Sequence, residues 1–207
     1  MAAQGRRCVA TVGCVDMWAW REALFSTLRS MQMPNPDRFH IAADHDHARD
    51  AAERLFAAVK QQLIAVLPNT SELLHIGATS VPGCLTKGDL DIVVRVERED
   101  FQVTEAAFAA RYARNSGSVR TNEFAAFEDD ASTPHLGIQL TVKGGEFDVF
   151  HQFAAALRAD PALVKRYNEL KRAHDGQPMH RYRAAKDAFV TDALRLRSAE
   201  RADDRAE

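Results

Sequence analysis

Hydrophobic residues recur along the chain at two spacings, and these spacings predict alternating helices and strands. Helical spacing of three to four residues predicts helices over residues 17–32, 44–67, 99–112, 161–174 and 179–198. Alternating or short apolar runs predict strands over residues 38–43, 72–76, 89–96, 119–127, 135–142 and 146–153. The pattern indicates an α+β fold, with a mixed β-sheet flanked by helices.

The last two predicted strands surround Gly144-Gly145, and we therefore expect them to form an antiparallel hairpin. No low-complexity linker divides the chain. We predict an N-terminal extension over residues 1–37, partly helical, a single domain over residues 38–200, and a flexible tail over residues 201–207. A chain of 207 residues that is 46% hydrophobic is long enough for one full core.

Composition narrows the setting in which the protein works. The formal charge of −2 gives no reason to expect nucleic acid as a partner, and no apolar run approaches the ~20 residues of a membrane helix. Residues 6–15 resemble a signal peptide only slightly, because the apolar stretch is short and Asp16 ends it. Cys8, Cys14 and Cys84 have an odd count and no C-x-x-C spacing, which fits free thiols in the cytoplasm.

The strongest chemical pattern is a small-residue turn followed by a pair of acids. Residues 77–83, which we call the motif turn, follow one predicted strand, and Asp89 and Asp91 open the next. Residues two apart on a strand point to the same side, so these two carboxylates face one region of space. Paired carboxylates beside a glycine turn suit a magnesium ion that carries a nucleoside triphosphate.

A third acid, Asp148, lies between apolar neighbours on the second strand of the predicted hairpin. If that strand lies close to residues 89–96, three carboxylates converge and require divalent cations to relieve their repulsion. Two magnesium ions could then be bound, with Asp89 and Asp91 holding the nucleotide-bound ion. Asp148 would assist the second ion and accept the proton of the attacking hydroxyl.

The motif turn and a few cations complete the predicted nucleotide site. Gly77, Ala78, Thr79 and Ser80 offer backbone N–H groups and two hydroxyls to the phosphates. Lys87 could neutralise the leaving pyrophosphate, and Tyr182 could stack on a base or simply pack.

The stretch HIGATSVPGCLTK at residues 75–87 resembles the H-I-G-S-T-[AS]-V-P-G-L-x-x-K pattern of the GrpB family, also called UPF0157. Further similarity covers roughly residues 39–196. It includes a match of residues 167–171 to Y-x-x-L-K, which contains Lys171, and of Tyr182 and Lys186 to a closing Y-x-x-x-K. The resemblance implies a nucleotidyltransferase fold and, since some members are fused to dephospho-CoA kinase, a possible partner enzyme.

The chain departs from the family pattern at several polar positions. Ala78 replaces a serine, Gly137 replaces the second histidine of H-x-H, and the R-D of an F-R-D triplet has become Ala154-Ala155. The family commonly has one acid where this chain has Asp89 and Asp91. These differences indicate a divergent member whose substrate need not be that of its relatives.

We therefore predict a magnesium-dependent nucleotidyltransferase that moves a nucleoside monophosphate from an NTP to an unknown hydroxyl or phosphate of a small-molecule acceptor. The alternative is an inactive nucleotide-binding accessory module that assists a partner enzyme. A third hypothesis, a metal-dependent hydrolase, would use His135, Asp148 and His151 as ligands. The histidines and acids of residues 44–47 are expected to form a solvated helix cap instead of a metal site.

Overall fold

A computed structural model of the chain describes residues 38–203, with side chains described as far as residue 195. The predicted N-terminal extension, its helix at residues 17–32, Cys8 and Cys14 all lie outside the described residues. Cys84 is buried and unpaired, as expected of a packing thiol.

Five strands form one mixed sheet in the order β1-β2-β5-β4-β3. Their bounds are β1 Glu72–Ile76, β2 Leu90–Val96, β3 Ala113–Arg114, β4 Phe124–Asp129 and β5 Leu136–Val142. The central strands β2 and β5 are parallel, and every other pair is antiparallel. The predicted mixed sheet and α+β class are thus confirmed.

Helices cover both faces of the sheet. They are α1 His45–Ile64, α2 Phe101–Ala109, α3 Phe150–Ala159, α4 Pro161–His174 and α5 Met179–Asp203. Helices α1 and α2 pack on one face against Ile92 and Val94, whereas α3 packs on the other against Val93. Helices α4 and α5 pack in turn against α3. Because β2 is covered on both sides, it is apolar at almost every position.

Side-chain caps fix the starts of two helices. Asp44 accepts a hydrogen bond from the backbone N–H of His47 at 2.9 Å, which confirms the predicted cap of α1. Asp160 caps α4 in the same way through the N–H of Ala162 at 2.8 Å, with Pro161 in the first turn.

The predicted hairpin is wrong. After β5 the chain turns at residues 143–149 and enters α3 at Phe150, so residues 146–153 form no strand. Phe147 in the turn and Phe150 at the start of the helix both pack against Phe124, and a short apolar pattern cannot distinguish such a segment from a strand.

Other predicted elements also differ from the structure. Residues 38–43 form only an isolated bridge between Arg38 and Pro178, so the strand predicted there is wrong. Helix α2 is shorter than the predicted 99–112, and α5 continues to Asp203, past the domain boundary predicted at residue 200. Among the described helices, none combines the length and apolar character needed to cross a membrane.

Candidate functional site

Most of the predicted site residues surround one cavity of about 300 Å³ between the sheet and helices α3–α5. Asp89 and Asp91 line it together with Gly77, Ala78, Lys87, Lys171, Tyr182 and Lys186. Thr79, Ser80 and Asp148 are not part of its lining. The cavity is therefore the candidate site.

The two acids of the D-x-D pair differ in their surroundings. Asp89, directly before β2, forms an ion pair with Lys87 at 2.8 Å. Asp91, within β2, is partly buried and forms no hydrogen bond or ion pair with any of the described side chains. Burial raises the pKa of Asp91 above its ordinary value against the opposing effect of the Lys186 ammonium, and the Asp89 carboxylate raises it further.

Two glycines hold the backbone close to the Asp91 carboxylate. A Cβ atom on Gly77 would overlap Oδ2 of Asp91, and one on Gly137 would lie 3.1 Å from Oδ1. Gly77 also has φ of +73°, a conformation that side chains rarely adopt. The glycine of the motif turn is thus required both by its conformation and by the carboxylate beside it.

Asp148 does not join the other two acids, which corrects the predicted three-carboxylate cluster. Its Oδ1 and Oδ2 each accept a hydrogen bond from Arg95 at 2.6 Å, and the N–H of Gly144 donates to Oδ2 at 2.9 Å. Arg95 lies four residues beyond Asp91 on β2, a separation of about 13 Å along a strand. Residue 148 lies in the turn before α3, and there its carboxylate pairs with Arg95 and does not join Asp89 and Asp91.

The described residues contain no group of three or more histidine, cysteine or acidic side chains that could hold a metal ion. His135 lies 3.1 Å from Asp130, whereas His151 lies 3.5 Å from Asp148. The histidines of the hydrolase hypothesis therefore have different acidic neighbours. Asp89 and Asp91 fit a single magnesium ion that arrives with phosphate ligands, because such sites need only one or two carboxylates.

Gln139, Lys186 and Asp187 also bring polar side chains to the cavity, and of these three the sequence predicted a role only for Lys186. Gln139 on β5 is the next residue on the same face of the sheet as Gly137, which pairs with Asp91. Lys186 and Asp187 reach the cavity from α5. Within residues 38–195, none of the three has a hydrogen-bond or ion-pair partner. Burial raises the pKa of Asp187 to about 6, even though Lys186 and Arg183 oppose the shift.

Two arginines shape the motif turn from outside the cavity. Arg49 of α1 donates to the carbonyl oxygens of Thr79 at 3.0 Å and Val81 at 2.6 Å, and Arg158 of α3 donates to that of Ser80 at 3.2 Å. In a trans peptide the N–H points opposite to the C=O, so Arg49 fixes the N–H of Ser80 away from itself. The backbone of the turn is thus held rigidly by side chains.

Both hydroxyls of the turn are used within the protein. Thr79 Oγ1 donates to the carbonyl of Asp89 at 3.0 Å and contacts Nε2 of His75 at 3.0 Å. Ser80 Oγ donates to the carbonyl of Gly77 at 2.9 Å. The Thr79 hydroxyl therefore ties the turn to the residue before β2 and the Ser80 hydroxyl closes the turn on itself, whereas both were predicted to bind phosphate.

Lys171 is the most deeply buried cation at the site, with 1% of its surface exposed. Its Nζ donates to the carbonyl of Leu85, contacts Sγ of Cys84 at 3.3 Å and lies 4.0 Å from the centre of the Tyr167 ring. Burial lowers the pKa of Lys171 to about 8, although the Cys84 thiol opposes the shift.

The lowered pKa makes stability depend on pH. The folded protein binds fewer protons at Lys171 than the unfolded chain between about pH 8 and pH 10.5, so folding becomes more favourable as pH rises through this window. We expect the free energy of unfolding to rise by on the order of 3 kcal/mol relative to Lys171→Met across it. Urea unfolding at several pH values measures the difference. Lys165→Met, at an exposed position of the same helix, is the control and should not change the slope.

Four residues of the site were missed by sequence reasoning: Arg49, Gln139, Arg158 and Asp187. Arg158 lies in the stretch that resembles the family pattern, which could have pointed to it. For Arg49, Gln139 and Asp187 no local signal exists, because an arginine or acid on a helix and a glutamine on a strand are typical of solvated positions.

A family model described as GrpB protein matches residues 45–196 of this chain. The chain belongs to the GrpB family. A UPF0157 protein of Vibrio cholerae serotype O1 is 33% identical to this GrpB protein over 150 residues, which are 72% of this chain and 79% of the relative.

A solved structure of a GrpB protein has the same fold. The crystal structure of the conserved protein GrpB from Enterococcus faecalis superposes with a TM-score of 0.56 at 22% identity, over 70% of this chain and 92% of that one. The Cid1 poly(U) polymerase, solved with MgATP, gives a TM-score of 0.43 at 10% identity over 75% of this chain and 46% of that one. The second likeness is too distant to support any conclusion about this protein.

Proposed function

We propose that this GrpB protein transfers a nucleoside monophosphate from a nucleoside triphosphate to an acceptor hydroxyl or phosphate. One observation carries the proposal: Asp91, Gln139, Lys186 and Asp187 line one cavity without hydrogen-bond or ion-pair partners among the described residues. These side chains are only partly buried and are not used within the described part of the protein, so they are available to a ligand. Carboxylates and an ammonium around one space suit a ligand that combines phosphate with a cation.

Asp89 and Asp91 are the residues that would hold magnesium. When bound, the ion neutralises phosphate charge and polarises the phosphoryl group. Because Asp148 is paired with Arg95, the proposal uses one ion, in place of the two predicted from the sequence.

The remaining side chains supply positioning and proton transfer. Lys186 and Lys87 offer positive charge to the phosphates, and the backbone of Gly77 and Ala78 permits close approach. The ring of Tyr182 offers an aromatic wall for the base. It stacks on the ring of Phe39, with the two ring centres 3.7 Å apart.

Asp187 replaces Asp148 as the proton acceptor of the scheme. A carboxylate in a cavity with a pKa of about 6 can accept a proton near neutral pH. The acceptor oxygen forms a bond to the α-phosphorus as its proton passes to Asp187. The bond from the α-phosphorus to the bridging oxygen breaks, and pyrophosphate leaves.

Calorimetry tests the nucleotide site directly. ATP, GTP, CTP and UTP are titrated into the protein with and without magnesium, and pyrophosphate release is then assayed across acceptors. We expect binding that requires magnesium, followed by release of pyrophosphate with at least one acceptor. Absence of binding for all four nucleotides would contradict the proposal.

The competing function is an inactive nucleotide-binding module that assists a partner enzyme. The pairing of Asp148 with Arg95 favours it, because one of the three acids predicted for catalysis lies outside the cavity. Magnesium-dependent binding without pyrophosphate across a broad acceptor panel would support the module over the enzyme. The cytoplasmic location stays a prediction in either case.

Gly77 provides a test with a matched control. Gly77 and Gly83 have φ of +73° and +72°, but only at Gly77 would a Cβ meet Asp91, since Gly83 has no atom within 4 Å of that position. Each Gly→Ala change should lower the unfolding free energy by about 1–2 kcal/mol through the backbone alone. We expect Gly77→Ala also to weaken magnesium-dependent nucleotide binding, by about tenfold or more, while Gly83→Ala leaves it unchanged. Equal binding by the two variants would remove Gly77 from the site.

A further inference from the structure

The cavity has two chemically different ends. Its charged end contains the acids and lysines described above. At the other end Phe124 of β4 stacks on Phe147 and Phe150, with ring centres 4.8 and 5.6 Å apart. Val149 and Ala154 complete this end, which we call the aromatic compartment.

Strand register fixes how far apart the two ends lie. On the face that lines the cavity, Asp91 is beside Gly137, Gln139 is two residues further along β5, and Phe124 is beside Thr141. With about 3.3 Å per residue along a strand and about 4.8 Å between strands, the Cα atoms of Asp91 and Phe124 are roughly 16 Å apart. Gln139 lies about halfway between them.

The aromatic compartment suits a group without polar edges. Its lining side chains offer no hydrogen-bond donor or acceptor except the amide of Gln139, which has no partner among residues 38–195. A nucleobase placed there would bury ring nitrogens and exocyclic groups unpaired, which is unfavourable. Thr86 and Thr191 also line the cavity, and their hydroxyls can hydrogen-bond a base.

We propose that the aromatic compartment binds the apolar part of the acceptor, a single aromatic ring or a group of similar size. The amide of Gln139 then hydrogen-bonds the polar end of the acceptor and directs its reactive oxygen toward the charged end. That the bound molecule is an acceptor rests on the proposed function. The apolar specificity of the compartment does not, because it follows from the lining itself.

Ala154 offers a way to fill the compartment. It is 2% exposed and lines the cavity, so the larger side chain of Ala154→Leu would occupy the space of the ligand. Ala155→Leu is the matched control, since it adds the same atoms at an exposed position of the same helix. Thermal unfolding establishes that both variants are folded.

The probe is 4-fluorobenzyl alcohol. It is titrated with the full chain, and its binding is observed by ¹⁹F NMR. We expect saturable binding to wild type and Ala155→Leu, and binding at least about tenfold weaker to Ala154→Leu, as its apolar ring loses buried contacts. ATP with magnesium should bind all three proteins equally. The same titration with 4-fluorobenzyl phosphate compares a phosphate acceptor with an alcohol. Binding of either probe to wild type and Ala155→Leu, with weaker binding to Ala154→Leu, supports the proposed apolar site.

A second variant tests the size of the compartment if Ala154→Leu does not fold. Phe147→Ala enlarges the compartment and should bind 4'-fluorobiphenyl-4-methanol, whereas we expect wild type not to bind it. Failure of wild type to bind either small probe, or equal binding of them by Ala154→Leu, would overturn the proposal. Probe binding without any nucleotide binding would instead refute the proposed transfer reaction and leave the apolar site in place.

Discussion

Asp91→Asn is expected to weaken magnesium-dependent nucleotide binding by at least about 100-fold and to abolish transfer. Asp91 lines the cavity and its carboxylate has no hydrogen-bond or ion-pair partner in the described part of the chain, so its charge is available to a cation. The asparagine has nearly the same shape but no negative charge, and it therefore isolates the electrostatic contribution. Calorimetry with ATP, with and without magnesium, measures the effect.

The same substitution should leave the protein as stable or make it more stable by about 1 kcal/mol, because an unpaired, partly buried charge is removed. The folded-state pKa of Asp91 is raised, so its ionisation opposes folding and wild type loses stability as pH rises through that pKa. Asp91→Asn should lack this loss. Full magnesium-dependent binding by a folded Asp91→Asn protein would exclude Asp91 as the cation ligand.

Asp148→Asn should have the opposite profile, with normal nucleotide binding and a large loss of stability. The Asp148 and Arg95 side chains are 6% and 16% exposed, and asparagine leaves the guanidinium with Glu72 as its remaining acidic partner. Removing one of the two acidic partners of a largely buried guanidinium leaves its charge only partly compensated, so we expect a loss of about 2–4 kcal/mol. Urea unfolding measures it.

A second variant separates the ion pair from other effects of the Asp148 change. Adding Arg95→Met removes the guanidinium that has lost the Asp148 carboxylate, and the double variant should recover part of the lost stability. If Asp148→Asn instead lost magnesium-dependent binding at unchanged stability, the carboxylate would belong to the site after all. The Asp91 and Asp148 substitutions are thus controls for each other.

The local sequence pattern was sufficient to predict an element's bounds where residues within and beside that element determine them. The strand Glu72–Ile76 and the helix Pro161–His174 have the bounds that the sequence predicted. Both have strong delimiters: turn residues flank the strand, and Asp160 with Pro161 starts the helix. The cap at Asp44 was predictable for the same reason.

The hydrophobic pattern predicted the wrong element where a strand and a turn followed by a helix would bury the same residues. Residues 146–150 alternate as a strand would, yet they form a turn and the first residue of α3. What selects the helix is the packing of Phe147 and Phe150 against Phe124, a residue more than twenty positions away in the chain. The wrong strand then placed Asp148 in the wrong site.

The sequence by itself determined the family, the common direction of Asp89 and Asp91, and the need for glycine in the motif turn, because strand alternation and backbone sterics act within a few residues. Only the tertiary structure decided which distant groups meet. Parallel pairing of β2 with β5 brings Gln139 near Asp91, and packing of α5 adds Lys186 and Asp187. These neighbours depend on long-range packing, and no local pattern encodes which side chains it brings together.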